Sequence, residues 1–339
     1  MRGVATAPET DVKHPATASL LAIRGLRVDL PVEGELRRVI HDVSLQIAPG
    51  EALGLVGESG SGKSMTARAI ARLLPPGAVT SGEIAFDGSP VLELGKGALR
   101  RYRRGGVAMV FQDPAAHINP VRTIGDHLTE GLRLVRGVDG AEAARRSAAM
   151  LSEVGIADGE RRLRQYPHEL SGGMLQRVMI AAALLDEPRL ILADEPTTAL
   201  DVTTQSDVMA ILDELRTERG LAMLFITHDL DLAAGICDRT AVMYAGSIVE
   251  EQRSDRINHD PLSPYTAALL GARPRVDSRS ERLLAVEGRP RSAFEAPAGC
   301  AFADRCPHAQ PECVAEEQAL LALAGGLVRC RRAEELHGD

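Results

Sequence analysis

The chain contains no tryptophan, and aromatic residues make up only 3% of it, so platforms on which single-stranded bases could stack are hard to build. An excess of positive charge is also missing. Acidic residues number 47 against 39 basic ones, a formal charge of -8, which leaves no broad electrostatic footprint for nucleic acid and excludes it as a main partner. The opening MRGVATAPETDVKHPATA has no long apolar core of the signal-peptide kind, and residues 1–19 read as a short disordered lead. The longest apolar run, Val178 to Leu185, is far below the roughly 18 to 20 residues that span a bilayer, so any membrane role is peripheral. Cysteine is scarce, five residues in all, and four of them fall near the C-terminal end. With 45% hydrophobic and 25% charged residues, the 339-residue chain has the composition of a globular protein with a large core and room for a smaller appendage.

Strand-like and helix-like segments alternate from about Leu20 to Glu251, the pattern of an α/β fold with a largely parallel sheet. Leu20–Leu30 and Val39–Ile47 read as early strands, with EGELRR as the turn between them. EALGLVG reads as a buried strand, followed by a Gly/Ser loop and a helix KSMTARAIARLL ended by Pro75 and Pro76. Between about Arg122 and Gln165 the strand signal fades and TIGDHLTEGLRLV and AEAARRSAAMLSEVG predict a helical insertion. Alternation resumes through RLILADEP, the helix around SDVMAILDELRTERG, LAMLFITHD and RTAVMYAGSIVE, and the sheet is expected to close near Glu251. HDPLSPYTAALLGARPR then offers one helix before a cysteine-bearing tail.

Gly57-Glu58-Ser59-Gly60-Ser61-Gly62-Lys63-Ser64 fits G-x-x-x-x-G-K-[ST] and lies between a strand and a helix, with Met65 following. Such a P-loop turns backbone N–H groups toward phosphates. Lys63 would reach the β and γ phosphates and the Ser64 hydroxyl would ligate Mg²⁺. LILADE is an apolar strand ending in two carboxylates: Asp194 suits Mg²⁺, and Glu195 suits the base that orients or activates the attacking water. Alone, such an ending is often only a helix cap. Ser171, Gly172 and Gly173 open a further helix, which is either an ordinary Ser-capped start or a second anion site serving the nucleotide of another molecule.

LSGGMLQR resembles the signature motif of ATP-binding-cassette proteins, and the other motifs of that family stand in order around it. Gln112 in VFQDP resembles the Q-loop, which also approaches Mg²⁺; Asp201 in TALD resembles the D-loop, and His228 in ITHD the switch histidine. The resemblance covers about residues 20–251 and implies a RecA-like P-loop core with an antiparallel β subdomain and a helical subdomain at about 115–175. It also implies a head-to-tail dimer in which ATP lies between one P-loop and the partner's signature residues. One position departs from the pattern. An aromatic residue normally stacks on adenine near the end of the first strand, whereas LRVDLPVEGELRR places Leu30 there, leaving apolar contact alone.

Cys300, Cys306, Cys313 and Cys330 are spaced C-x5-C-x6-C-x16-C. Without an export signal, disulfides are disfavoured, and the spacing leaves an iron–sulfur cluster, zinc or no metal open. Cys237, in ICDRTAVMY, reads as a buried small hydrophobe. PLSPYTAALL followed by PAGCAFADRCPHAQPEC resembles the C-terminal extension of oligopeptide and dipeptide importer ATPases, here residues 252–339, and QDPAAHINPVRTIGDHLTE and YPHELSGG resemble the same branch. That resemblance implies a [4Fe-4S] cluster on the four cysteines. It further implies ATP hydrolysis at the cytoplasmic face of the inner membrane, beside a second, non-identical ATPase, two permeases and an extracytoplasmic solute-binding protein. The implied cargo is peptide, with nickel or metal complexes, sugars and haem as alternatives. A soluble cassette ATPase would be expected to carry two cassettes or a long coiled coil, and a non-hydrolysing ATP-binding module is opposed by Glu195 and His228.

Overall fold

The computed structural model describes residues 19–197, 201–272, 286 and 288–337. The lead expected over residues 1–19 therefore lies outside the described residues except for its last position. The strands are β1 (Leu21–Val32), β2 (Glu35–Ile47), β3 (Ala52–Val56), β4 (Val79–Phe86), β5 (Ser89–Pro90), β6 (Val107–Val110), β7 (Leu190–Asp194), β8 (Ala222–Thr227), β9 (Arg239–Tyr244), β10 (Ser247–Arg253), β11 (Leu321–Leu323) and β12 (Gly326–Val328). Ten follow the order β5-β4-β1-β2-β10-β9-β3-β8-β7-β6, and β12 joins β10 and β11 beside that path.

The sheet has two characters, and the residue pattern explains both. At one end β6, β7, β8, β3 and β9 run parallel, and every residue of β3, β7 and β8 is buried. Near-continuous apolar runs are what a parallel sheet covered on both faces requires. At the other end β1, β2 and β4 pair antiparallel, and exposed positions are interleaved with buried ones along β1 and β2. Helices Ile124–Glu130, Gly140–Glu153 and Gly159–Arg162 form the expected insertion, and Ile124, Leu128, Ala143, Met150 and Leu151 join the same core as the Gly172–Leu185 helix.

Four local expectations are corrected. The turn after β1 is confined to Glu33 and Gly34, both with positive φ, so Leu36–Arg38 belong to β2. The helix after the P-loop is Lys63–Ile70, because Arg72 adopts φ 56 and its side chain bonds to the Val91 and Leu92 carbonyls well before the prolines. RTAVMYAGSIVE is a hairpin: Ala245 and Gly246, at φ 44 and 85, reverse the chain between β9 and β10. The sheet does not close near Glu251, since Glu250 and Glu251 pair with Val328 and Leu327 of β12. The C-terminal segment is thus part of the sheet. Glu250 anchors it as well, its buried carboxylate accepting from the Leu262 and Ser263 backbone N–H groups at 2.8 Å each.

Candidate functional site

The P-loop leaves β3 at Gly57 and enters its helix at Lys63. Only glycine fits at two of its corners. A Cβ on Gly57 would lie 2.1 Å from the Met243 carbonyl oxygen, and Gly62 sits at φ +109 with Met243 Cε 2.7 Å from its Cβ position. Lys63 is 4% exposed, and its Nζ donates to the carbonyls of Gly57 and Glu58 at 2.8 and 3.1 Å. Burial holds its ammonium below the usual lysine range, against the attraction of Glu195 and Asp194. Ser61 is buried and, among the described residues, its Oγ has no hydrogen-bond partner. Ser59 and Gly60 are exposed at the tip, and Met65 packs against the core beneath.

The ends of β6, β7 and β8 bring the remaining chemistry to this loop, as the C-terminal edge of a parallel sheet does. Asp194, the last residue of β7, accepts from Ser64 Oγ at 2.8 Å. Burial raises its pKa, opposed first by that hydrogen bond. Glu195 follows at φ 46, its backbone N–H bonded to Ile226 O at 3.0 Å. A non-glycine residue in that region costs about 1–3 kcal/mol. Lys63 Nζ at 3.8 Å, Gln112 Nε2 donating at 3.2 Å and His228 Nδ1 at 3.7 Å approach its carboxylate. His228 follows β8 and is 62% exposed.

These residues fit a magnesium nucleotide. A glycine cradle, a desolvated ammonium and an orphaned hydroxyl face phosphate chemistry, and the hydroxyl and carboxylate oxygens of Ser64 and Asp194 are hard donors of the kind Mg²⁺ takes.

Other predicted residues lie apart from this cluster. Ser171 caps the Gly172–Leu185 helix, its Oγ accepting from Met174 N at 3.3 Å, and it is exposed together with Gly172. A Cβ on Gly173 would meet Thr204 Cγ2 at 2.5 Å, so glycine lets the two helices approach. Asp201 caps the Val202–Arg219 helix, accepting from Thr204 N and Oγ1 at 3.0 and 2.7 Å; the other residues of TALD lie outside the described residues. Among the described residues, no hydrogen bond or ion pair joins Ser171, Gly172 or Gly173 to the P-loop. Leu30 is half-buried on β1, opposite Arg37 and against the core.

Cys300, Cys306, Cys313 and Cys330 line one pocket with His308 and Arg332. The Cys300 N–H bonds to Cys313 O at 2.7 Å, and burial pushes the Cys300 thiol up to about 11. Among the described residues, no group of three or more His, Cys, Asp or Glu is arranged to hold a metal ion. The thiols are gathered around one cavity without converging on a point. Cys237 is buried at the end of the Leu230–Ile236 helix, as expected, and burial raises its thiol far above the usual range.

Tyr265 and Arg305 also reach the P-loop, which no motif or spacing announces. Tyr265 Oη accepts from Glu58 N at 3.2 Å, and Arg305 pairs with the Glu58 carboxylate at 2.9 Å. The only signal was indirect, both residues standing within segments that resemble a peptide-importer extension.

The chain matches two family models, that of the ABC transporter over residues 40–198 and that of the oligopeptide/dipeptide transporter C-terminal region over residues 249–313. It is 43% identical over 306 residues to the oligopeptide transport ATP-binding protein OppD of Salmonella typhimurium, covering 90% of this chain and 91% of that one. To OppD of Escherichia coli it is 43% identical over 295 residues, covering 87% and 88%. Among solved structures it resembles the dimeric post-hydrolysis state of the ATP-binding cassette MJ0796 bound to ADP and Pi, with TM-score 0.62 and 30% identity over 69% of this chain and 98% of that one. It also resembles cbiO1 of Clostridium perfringens, part of the transporter complex cbiONQ, with TM-score 0.61 and 26% identity over 72% and 92%.

Proposed function

Since this chain belongs to the ATP-binding subunits of ABC transporters, in the branch with an oligopeptide/dipeptide transporter C-terminal region, we propose that it hydrolyses ATP to drive import of di- and oligopeptides. The observation that carries this reading is the convergence of Lys63, Ser64–Asp194 and Gln112–Glu195–His228 on one sheet edge, in a chain that also carries the peptide-transporter C-terminal region.

In this reading the P-loop, Gly57 to Ser64 with Met65, holds the triphosphate, and Leu30 offers apolar contact to the base. Ser64, Asp194 and Gln112 would hold Mg²⁺, which supplies charge neutralisation for the phosphate oxygens when bound. Glu195 orients a water molecule and takes its proton as the water oxygen bonds to the γ phosphorus and the β–γ bridge breaks, giving ADP and phosphate. Gln112 and His228 hold the Glu195 carboxylate and the water in line. Ser171, Gly172 and Gly173, with Asp201, serve the nucleotide of a partner cassette, a role supported by the exposure of Ser171 and Gly172 away from the chain's own P-loop. Loss of the γ phosphate reopens the interface and moves the permeases.

The partners in this reading are a second, non-identical ATPase, two permeases and an extracytoplasmic binding protein. The chain sits peripherally at the cytoplasmic face of the inner membrane; no helix among the described residues is long and apolar enough to cross it. We divide the chain into a lead (1–19), the cassette (20–251, with its helical subdomain at about 115–175) and the extension (252–339). For the four cysteines the [4Fe-4S] cluster is carried by the resemblance of the extension and a four-thiol donor set alone, since among the described residues the thiols that line one pocket are not arranged to hold a metal ion. Iron and sulfide analysis of anaerobically purified protein decides it, and stoichiometric zinc or no metal would overturn it.

Uptake of labelled peptides by cells lacking this chain tests the cargo. Uptake should return with the wild-type chain and not with Glu195→Gln. Peptide uptake that survives loss of the chain, with nickel, sugar or haem uptake lost instead, would assign another cargo.

A further inference from the structure

The P-loop of this chain is gripped from outside by the C-terminal segment, and Glu58 is the residue gripped. Arg305 Nη1 and Nη2 donate to Glu58 Oε2 and Oε1 at 2.9 and 3.2 Å, a bidentate pair linking residues 247 positions apart. The Arg305 side chain is 4% exposed. Its guanidinium also donates to Tyr244 Oη at 3.2 Å and lies 5.8 and 5.7 Å from the Tyr244 and Phe302 ring centroids. The Glu58 peptide is fixed on both sides, its N–H by Tyr265 Oη at 3.2 Å and its carbonyl by Lys63 Nζ at 3.1 Å. Two residues on, Gly60 O accepts from Ala293 N at 3.3 Å.

A P-loop binds phosphate with backbone N–H groups and a lysine, and a carboxylate on the loop opposes that binding unless it is neutralised. Removing Arg305 from this partly buried pair leaves the Glu58 carboxylate on the loop uncompensated. We propose that Arg305 is a positioning residue for nucleotide binding: by clamping and neutralising Glu58 it holds the P-loop in its anion-accepting form, so the C-terminal segment sets nucleotide affinity. The inference rests on reading the loop as an ATP site, and the test separates the two.

ATP is titrated calorimetrically into the purified full-length chain, giving both dissociation constant and stoichiometry. Binding by the wild type and its loss in Lys63→Ala establish the nucleotide site independently of Arg305; a wild type that binds no ATP overturns the site and this inference with it. Given that binding, Arg305→Ala should weaken ATP affinity about tenfold at unchanged stoichiometry, and Arg305→Lys, which keeps charge and loses the fork, roughly threefold. The double variant Glu58→Gln with Arg305→Ala, which removes the stranded carboxylate, should recover to within about threefold of wild type. A purely structural role would lower stoichiometry and leave the dissociation constant of the remaining sites unchanged. That result, or an Arg305→Ala affinity within twofold of wild type, overturns the proposal. Should Arg305→Ala fail to fold, Arg305→Lys decides: wild-type affinity there counts against the clamp, and the threefold loss supports it.

Discussion

Gln112 Nε2 donates to Glu195 Oε2 at 3.2 Å, tying the end of β6 to the residue that follows β7. The bond holds the carboxylate beside Lys63, and Glu195 keeps a left-handed backbone to be there. Glu195→Gln retains the size and hydrogen bonds of the side chain and removes its basicity. ATP turnover should fall by about 100-fold or more, while ATP-dependent association of cassettes, measured by sedimentation, persists. Turnover within a few-fold of wild type would remove Glu195 from the chemistry.

Asp194 and Ser64, bonded at 2.8 Å, predict a metal-specific defect. Asp194→Asn should weaken binding of MgATP by roughly tenfold or more and leave binding of metal-free ATP near wild type, since charge on a metal oxygen ligand sets its affinity. Equal losses with and without Mg²⁺ would point to a folding defect at this buried position.

Leu30 predicts a gain of function. A ring placed there can stack on adenine, and such stacking is worth about 1–3 kcal/mol per base. Leu30→Tyr should tighten ATP binding by roughly fivefold or more, read by nucleotide titration. Unchanged affinity would mean that the half-buried position on β1 does not face the base.

His41 predicts sensitivity to mild acid. Its Nε2–H donates to Ala293 O at 2.7 Å, pinning the C-terminal segment to β2. Burial lowers its pKa below the histidine norm, against the Ala293 hydrogen bond and the nearby Asp29, while Arg38 and Arg27 add to the lowering. Above about pH 6.5 the ring is neutral in both folded and unfolded chains and stability is complete. As pH falls below that value the unfolded chain takes up the proton first, so stability is lost until the folded ring titrates too. His41→Gln should flatten this loss, reducing the fall in melting temperature between pH 7 and 5 by roughly a few degrees. Equal slopes would show that other groups, such as the similarly buried His127, dominate.

The parts of the site that were legible in sequence are local ones. Gly57 to Ser64 is a single run whose glycines and lysine act within one turn, and Asp194 and Glu195, which end one apolar strand, gain their meaning only beside that run. The Ala245-Gly246 reversal was not legible, because alanine at positive φ is held there by the pairing of β9 with β10 rather than by its own preference. Nor was the contribution of β12 to the sheet, since its three residues carry no period of their own. The Arg305–Glu58 pair joins segments 247 residues apart and leaves no spacing signature at all.

The central claim, an ATP-driven peptide importer subunit, is tested most directly by ATP turnover in the assembly purified from detergent-solubilised membranes through a tag on this chain, with and without peptide-loaded binding protein. The account predicts that a second ATPase and two permeases accompany the chain and that loaded binding protein raises turnover several-fold. Recovery of the chain without membrane subunits, or turnover indifferent to peptide, would contradict it.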